Sequence, residues 1–170
     1  DVAGDAFIVD EGVTSKYAML TRWSLEADQY ISNKGGGLGY GLPASVGAAV
    51  AESMRDEPRD VVGFIGDGSY LYYPQSIYSA ARHDLDLTVV VPDNRNYRIL
   101  KDNTLDIMGG DEDDYDFVGM DFDPPVDLVK NAESHGARGH LVDEPEEIAE
   151  TVAEAVDSEG TDVLDVLVHD

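Results

Sequence analysis

Short apolar runs alternate along the chain with segments whose apolar residues recur at helical spacing. The apolar runs predict strands at Ala6–Val9, Ile31–Asn33, Val61–Ile65, Leu87–Val91, Ala137–Val142 and Val163–Val168. The periodic segments predict helices at Lys16–Trp23, Pro43–Ser53, Gln75–His83, Pro125–Ser134 and Pro145–Val156. The middle strands are apolar throughout, which is typical of strands covered on both faces. The pattern therefore predicts an α/β fold, a doubly wound parallel sheet with helices on both faces.

One long stretch, Asp102–Asp123, shows neither the apolar run of a strand nor the periodic spacing of a helix. It contains the acid-rich sequence GGDEDDYDF. Loops of this length in compact domains are usually functional or mobile. The acids suggest a calcium site, but their spacing lacks the glycine and closing glutamate of an EF-hand loop. A solvated lid is the favoured interpretation.

The composition of the 170 residues, 42% of them hydrophobic, fits a single domain spanning 1–170. Because the chain opens on Asp1 and enters a strand at once, we expect a fragment or subunit of a longer polypeptide. No apolar run approaches the roughly 20 residues that span a bilayer. The absence of cysteine excludes disulfides, zinc thiolate sites and iron–sulfur clusters from this chain.

The net charge of −25 disfavours nucleic acids and anionic membranes as partners. The acids are spread between regular apolar segments, so we expect a folded chain rather than a disordered acidic tail. Dense surface carboxylates are tolerable where salt screens them. The charge therefore indicates a cytoplasmic protein of a halophilic cell.

A glycine-rich segment, GGGLGYGLPASVGAAV, fits the dinucleotide fingerprint GxGxxA at Gly39, Gly41 and Ala44. That fingerprint should follow the first strand and lead to an acid that closes the next one. Here the acids at suitable distance, Glu52 and Asp56, lie in a polar connector. A dinucleotide-binding dehydrogenase domain remains an alternative interpretation. A second alternative is that the glycines have only a structural role, in a tight turn and in close helix packing.

An acid between two glycines, Gly66-Asp67-Gly68, directly follows the predicted strand Val61–Ile65. Asn94 lies 27 residues later, at the end of the next strand. The carboxyl ends of parallel strands share one edge of the sheet, so Asp67 and Asn94 can face one crevice. Carboxylate and amide oxygens suit Mg²⁺ bound together with a phosphate, and glycine lets backbone approach that phosphate. The alternative is a helix-capping aspartate beside an ordinary turn asparagine.

The GDG–x25–N spacing resembles the thiamine diphosphate motif. The glycine-rich segment, the run VVVPDNRNYRIL and the C-terminal tail are similar to the C-terminal cofactor-binding domain of the decarboxylase and acetolactate synthase branch of that family. Benzoylformate decarboxylases give the nearest pattern, and the resemblance extends over essentially the whole chain. It implies the thiamine diphosphate-binding fold, with thiamine diphosphate and Mg²⁺ as cofactors.

The resemblance also implies roles for individual residues. The Mg²⁺ ligands would be Asp67, Asn94 and the main-chain oxygen of Asn96. The diphosphate contacts would be Gly68, Ser69, Tyr97, Val13 and Thr14. Leu38 would enforce the bent cofactor conformation, and the Gly36 carbonyl would accept a hydrogen bond from the pyrimidine amino group.

Two positions depart from the pattern of the family. Asp93 stands where asparagine is frequent, which leaves the ligand at Asn94 in place. Asn103 stands where benzoylformate decarboxylases have an aromatic residue in the substrate pocket, which weakens the case for an aromatic substrate, whereas Leu100 keeps its apolar character.

No catalytic residue is assigned to this chain, because the resemblance places the activating glutamate and the acid–base histidines on other domains. Glu11 lies on this domain's own first strand turn and is not assigned that role. The implied partner is an N-terminal pyrimidine-binding domain or subunit, within a homodimer or tetramer of the full enzyme. Tyr70, Tyr72 and Tyr73 either face that partner or form a packed aromatic cluster.

The implied function is a thiamine diphosphate- and Mg²⁺-dependent 2-oxo acid decarboxylase or acetolactate synthase-like carboligase that acts on a small 2-oxo acid. The chain alone would be inactive, and it could also be the cofactor subunit of a two-subunit decarboxylase. A non-catalytic, cofactor-sensing module and the dehydrogenase domain are the alternatives from other classes.

Overall fold

A computed structural model describes residues 4–169 of the chain. Its six parallel strands form one sheet in the order β2-β1-β3-β4-β6-β5. The strands are β1 (Phe7–Glu11), β2 (Tyr30–Ser32), β3 (Val61–Ile65), β4 (Leu87–Asp93), β5 (Arg138–Val142) and β6 (Thr161–Leu167). Every predicted strand is present, with ends displaced by at most a few residues. The α/β parallel fold predicted from the sequence is confirmed.

Helices connect the strands. They are α1 (Lys16–Arg22), α2 (Gly41–Ser53), α3 (Asp67–Tyr70), α4 (Ser76–Arg82), α5 (Arg98–Met108), α6 (Leu128–Ser134) and α7 (Ile148–Val156). Short 3₁₀ turns occupy Glu112–Asp114 and Pro145–Glu147. The helix expected from Pro125 begins at Leu128 because the carboxylate of Asp127 accepts a hydrogen bond from the Lys130 amide at 2.9 Å and caps it there. Among residues 4–169, no helix has the length and apolar content to cross a bilayer.

Both faces of the sheet are buried, and successive side chains of one strand pack into the hydrophobic cores on opposite sides of the sheet. On β4, Val89 and Val91 belong to the core under α2, α4 and α6, whereas Val90 packs toward the side covered by α1 and α7. Side chains at i and i+2 of a strand share a face, so an unbroken apolar run supplies both cores. This arrangement explains why the middle strands read as continuous apolar segments.

The stretch Asp102–Asp123, predicted to be irregular, begins inside a helix. Helix α5 continues to Met108, and the irregular chain starts at Gly109, where φ is +75°. Leu100, Ile107 and Met108 stand at the helical spacing i, i+7, i+8, a signal that the acid-rich run after them obscured. The sequence-based boundary is therefore corrected to the end of α5.

The strand order reverses beside β1. The chain passes from β1 to β2 on one side and then returns to place β3 on the other side of β1. At such a switch point the loops after two neighbouring strands leave in opposite directions and open a crevice. The loops that follow β1 and β3 therefore flank the place where a ligand of this fold binds.

Candidate cofactor and metal site

Loops from the carboxyl ends of β1, β3 and β4 enclose a narrow cleft at this switch point. The cleft is lined by nine of the ten site residues predicted from the sequence: Val13, Thr14, Leu38, Asp67, Gly68, Ser69, Asn94, Asn96 and Tyr97. The tenth, Gly36, lines an adjoining cavity of about 430 Å³, which shares Val13 and Leu38 with the cleft. The structure thus brings all ten positions into two connected spaces.

The carboxylate of Asp67 is buried in the cleft with one oxygen unsatisfied. Its Oδ1 accepts a hydrogen bond from the Gly68 amide at 2.8 Å, whereas Oδ2 has no hydrogen-bond partner among residues 4–169. Burial, and next the adjacent carboxyl of Asp93, raise the pKa of Asp67 to about 7. An unsatisfied buried carboxylate is costly, and a bound cation would remove that cost.

Asp93 connects Asp67 to a third buried carboxyl group, that of Asp165 on β6. Asp93 Oδ1 accepts a hydrogen bond from the Arg95 amide at 2.8 Å. Burial, and then the charge of Asp93, raise the pKa of Asp165 to about 7. Asp165 was missed in the sequence, although an acid within the apolar strand VLDVLV is itself a signal of an unusual site. A cation beside Asp67 would offset the repulsion within this group.

The loop after β4 is held close to the turn that carries Asp67. The Asn96 side chain donates to the Asn94 carbonyl at 2.8 Å, and Arg95 between them has φ +59°. The Tyr97 ring lies directly on Gly68, where an added Cβ would come within 2.5 Å of Tyr97 Cε1. Glycine at this position therefore permits the close approach of the Tyr97 ring.

The donor chemistry of the predicted metal ligands suits a hard cation bound with phosphate. Across residues 4–169, no three His, Asp or Glu side chains converge so that they could hold a metal ion together. The predicted set instead combines the Asp67 carboxylate with the amide of Asn94 and the main-chain oxygen of Asn96. Mg²⁺ is commonly bound by one or two carboxylates, with water and substrate phosphates completing the shell. The residues present therefore fit Mg²⁺ bound through a diphosphate.

Glu11 has a structural role that the sequence did not reveal. Its carboxylate accepts hydrogen bonds from the Tyr40 amide at 3.1 Å and the Gly41 amide at 2.6 Å, at the start of α2. The residue is only 4% exposed. A buried carboxylate at this position satisfies amides that have no partner within the helix and favourably meets the positive end of its dipole.

This contact also weakens the dinucleotide alternative. In that alternative, the helix N-terminus behind Gly39 and Gly41 binds a pyrophosphate. Here the Glu11 carboxylate already occupies those amides. Glu52, an acid at suitable distance, is paired with Arg59 at 2.8 Å. At Gly39 and Gly41 the segment thus serves as a turn and a packing surface.

We expect Glu11→Gln to lower the free energy of unfolding by about 1–3 kcal/mol. The amide oxygen of glutamine can accept from one of the two backbone amides, but its NH₂ group would face the other donor. Denaturant unfolding of the cofactor-free chain measures the change, with the exposed Glu26→Gln as the matched control. Equal stability of the two variants would show that the Glu11 contact does not support α2.

The three tyrosines after Ser69 do not act as one group. Tyr70 is fully buried, and its hydroxyl donates to Asn131 Oδ1 at 2.9 Å, so it cannot face a partner. Tyr72 and Tyr73 are about half exposed, at 50% and 47%. They lie against Gly39, where an added Cβ would be 2.7 Å from Tyr72 Cβ.

The adjoining cavity carries Asn103, one of the two positions that depart from the family pattern. Asn103 lines it together with Leu100 on α5, Tyr17 on α1 and Gly36. Lys16 at its edge is engaged by Asp10 at 3.2 Å and by Ser32 Oγ at 3.0 Å. The cavity therefore combines apolar walls with amide groups and an already paired lysine.

Comparisons with known proteins identify the family of this chain. Residues 10–166 match the thiamine pyrophosphate enzyme C-terminal TPP-binding domain. The chain is 34% identical to benzoylformate decarboxylase of Pseudomonas aeruginosa over 119 residues, which are 69% of this chain and 22% of that protein. It is 29% identical to acetolactate synthase of Bacillus subtilis over 136 residues, 80% of this chain and 22% of that protein.

Solved structures lead to the same family. Benzoylformate decarboxylase from Polynucleobacter necessarius superposes with a TM-score of 0.89 at 28% identity, over 99% of this chain and 32% of that chain. This chain belongs to the thiamine diphosphate-dependent enzymes, as their C-terminal cofactor-binding domain. It spans between a fifth and a third of the length of these relatives.

Proposed function

We propose that this chain supplies the diphosphate and Mg²⁺ site of a 2-oxo acid decarboxylase. The observation that carries the proposal is the cleft at the β1–β3 switch point, in which the buried, unsatisfied Asp67 Oδ2 lies among the predicted ligands. A carboxylate kept in this state is costly for the protein without a cation. The family supports thiamine diphosphate as the group that the cleft binds.

In the proposed site each loop has a distinct task. Asp67, Asn94 and the main-chain oxygen of Asn96 hold the metal. Gly68, Ser69 and Tyr97, together with Val13 and Thr14 from the loop after β1, contact the diphosphate. Leu38, which lines both the cleft and the larger cavity, bends the cofactor, and Gly36 in the larger cavity orients its aminopyrimidine.

Bound thiamine diphosphate supplies an electron sink for the carbanion left when a 2-oxo acid loses CO₂. This chain's own residues would hold that cofactor in its reactive conformation and close one side of the substrate space. An N-terminal pyrimidine-binding domain or subunit, in a dimer or tetramer, would supply the remaining catalytic groups. The exposed Tyr72 and Tyr73 are the proposed contacts to it.

A second candidate is an acetolactate synthase-like carboligase, which the similarity to the Bacillus subtilis enzyme favours. Asn103, at the position where benzoylformate decarboxylases have an aromatic residue, favours a small, non-aromatic 2-oxo acid in either reaction. Adding a separately expressed N-terminal domain and measuring CO₂ release and acetolactate from pyruvate distinguishes the two activities.

Thermal unfolding with added ligands tests the proposed cofactor. We expect thiamine diphosphate plus Mg²⁺ to raise the melting temperature of the chain in high salt, because ligands that bind only the folded state stabilise it. NADH should leave the melting temperature unchanged. Stabilisation by NADH alone would contradict the proposal and favour a dinucleotide-binding domain.

A further inference from the structure

Residues 117–122, which we term the strap, form a turn whose last three residues run antiparallel to the loop that carries Asn96. The Tyr97 amide donates to the Met120 carbonyl at 2.8 Å, and the Phe122 amide donates to the Arg95 carbonyl at 2.8 Å. Asn96 and Asp121 form the antiparallel bridge between them. The strap therefore pairs with residues 95–97, two of which, Asn96 and Tyr97, belong to the proposed metal and diphosphate site.

A side-chain contact strengthens this pairing on the side of the cofactor. Phe122 meets the Tyr97 ring edge to face, with ring centroids 4.9 Å apart and an interplanar angle of 88°. Tyr97 in turn lies on Gly68, next to Asp67. The Tyr97 ring thus lies between Phe122 of the strap and the turn after β3, and contacts both.

Two paired segments alone form a weak ladder in water, so the strap needs a further anchor. Lys101 on α5 provides one. Its side chain is only 8% exposed, and Nζ lies 2.6 Å from Asp121 Oδ1 and 3.6 Å from Glu112 Oε1. The same ammonium is 5.7 Å from the centre of the Phe117 ring, at the other end of the strap. Charge-assisted hydrogen bonds of this kind are among the stronger side-chain contacts.

We propose that Lys101 is a positioning residue for the cofactor site. It holds the strap against the loop of residues 95–97 and so fixes Asn96 and Tyr97 for binding. What that loop binds rests on the proposed function, whereas the dependence of the ladder on Lys101 does not. An experiment can therefore refute the role of Lys101 without refuting the proposed function, and the reverse.

Hydrogen exchange of the cofactor-free chain tests the ladder directly. In Lys101→Met, which keeps an apolar stem but removes the charge, the Tyr97 and Phe122 amides should exchange about 10-fold faster, as expected for the loss of one charge-assisted hydrogen bond. Amides of β4 should be unchanged. The matched control is Lys130→Met, because Lys130 pairs at the same 2.6 Å in exposed surroundings, and its partner Asp127 is not a strap residue. That control should leave both amides as in the wild type.

Binding provides the second readout. The dissociation constant for thiamine diphosphate with Mg²⁺ should rise about 10-fold in Lys101→Met and return toward the wild-type value in Lys101→Arg, which restores the charge. Unchanged exchange of Tyr97 and Phe122 in Lys101→Met would overturn the proposal.

A variant that leaves the lysine in place covers the case in which Lys101→Met unfolds more widely. Asp121 is 61% exposed, so Asp121→Asn removes the partner at little cost to the fold. Faster exchange confined to Tyr97 and Phe122 in Asp121→Asn supports the proposal, and wild-type exchange there overturns it. A wild-type chain that binds no thiamine diphosphate would contradict the proposed function alone.

Discussion

Replacing Asp67 by asparagine should abolish the stabilisation of the chain by thiamine diphosphate plus Mg²⁺. Asp67 is the one carboxylate in the proposed ligand set, and loss of its charge should raise the dissociation constant at least about 100-fold. A ligand present at 100 times its dissociation constant stabilises a protein by about 2.7 kcal/mol, and nearly all of this would disappear. Without cofactor, the variant should be at least as stable as the wild type, because a buried carboxylate whose pKa is raised to about 7 has been removed.

Asp165→Asn is the matched control for this experiment. Asp165 is as buried as Asp67, contacts the same Asp93 and has its pKa raised to the same value of about 7. It lies outside the cleft, so its variant should keep the full shift in melting temperature with thiamine diphosphate and Mg²⁺. A full cofactor shift in Asp67→Asn would show that Asp67 does not bind the metal.

The second large effect is on the pH dependence of stability. Asp165 has a pKa raised by burial, and next by the charge of Asp93, from its ordinary value of 3.8 to about 7. Between these two pH values the folded chain binds more protons at this position than the unfolded chain does. The free energy of unfolding therefore falls as the pH rises from about 4 to about 7, and this loss persists above pH 7.

Asp165→Asn removes this contribution. At pH 8 the variant should be more stable than the wild type by about 1–3 kcal/mol, and the advantage should vanish near pH 4. Denaturant unfolding with a chelator present, at both pH values, measures the difference. An Asp165→Asn chain that is less stable than the wild type at pH 8 would show that the carboxylate has a favourable partner in its charged form.

The fold could be predicted because its signals are local and repeated. Strands such as Val61–Ile65 and Leu87–Val91 are apolar on both faces, and each is followed by a helical period, which leaves few possible topologies. The candidate site followed from Asp67 and Asn94, because consecutive parallel strands bring their carboxyl ends to one edge. That edge is where the structure places them.

The contacts that could not be predicted join residues far apart in sequence. Glu11 reaches the amide of Gly41 only once β1 and α2 are packed together, and no local pattern marks that contact. Asp165 meets Asp93 because β6 inserts beside β4, a pairing that depends on the strand order. Lys101 similarly reaches the strap only after the acid-rich chain folds back over α5.

Mn²⁺ in place of Mg²⁺ gives the most direct test of the proposed site. A crystal of the chain with thiamine diphosphate and Mn²⁺ should show one anomalous peak at about 2.0–2.3 Å from an Asp67 oxygen, the Asn94 side-chain oxygen and the Asn96 main-chain oxygen, beside the diphosphate. An anomalous peak elsewhere, or a diphosphate bound without metal at Asp67, would contradict the assignment of this cleft as the cofactor site.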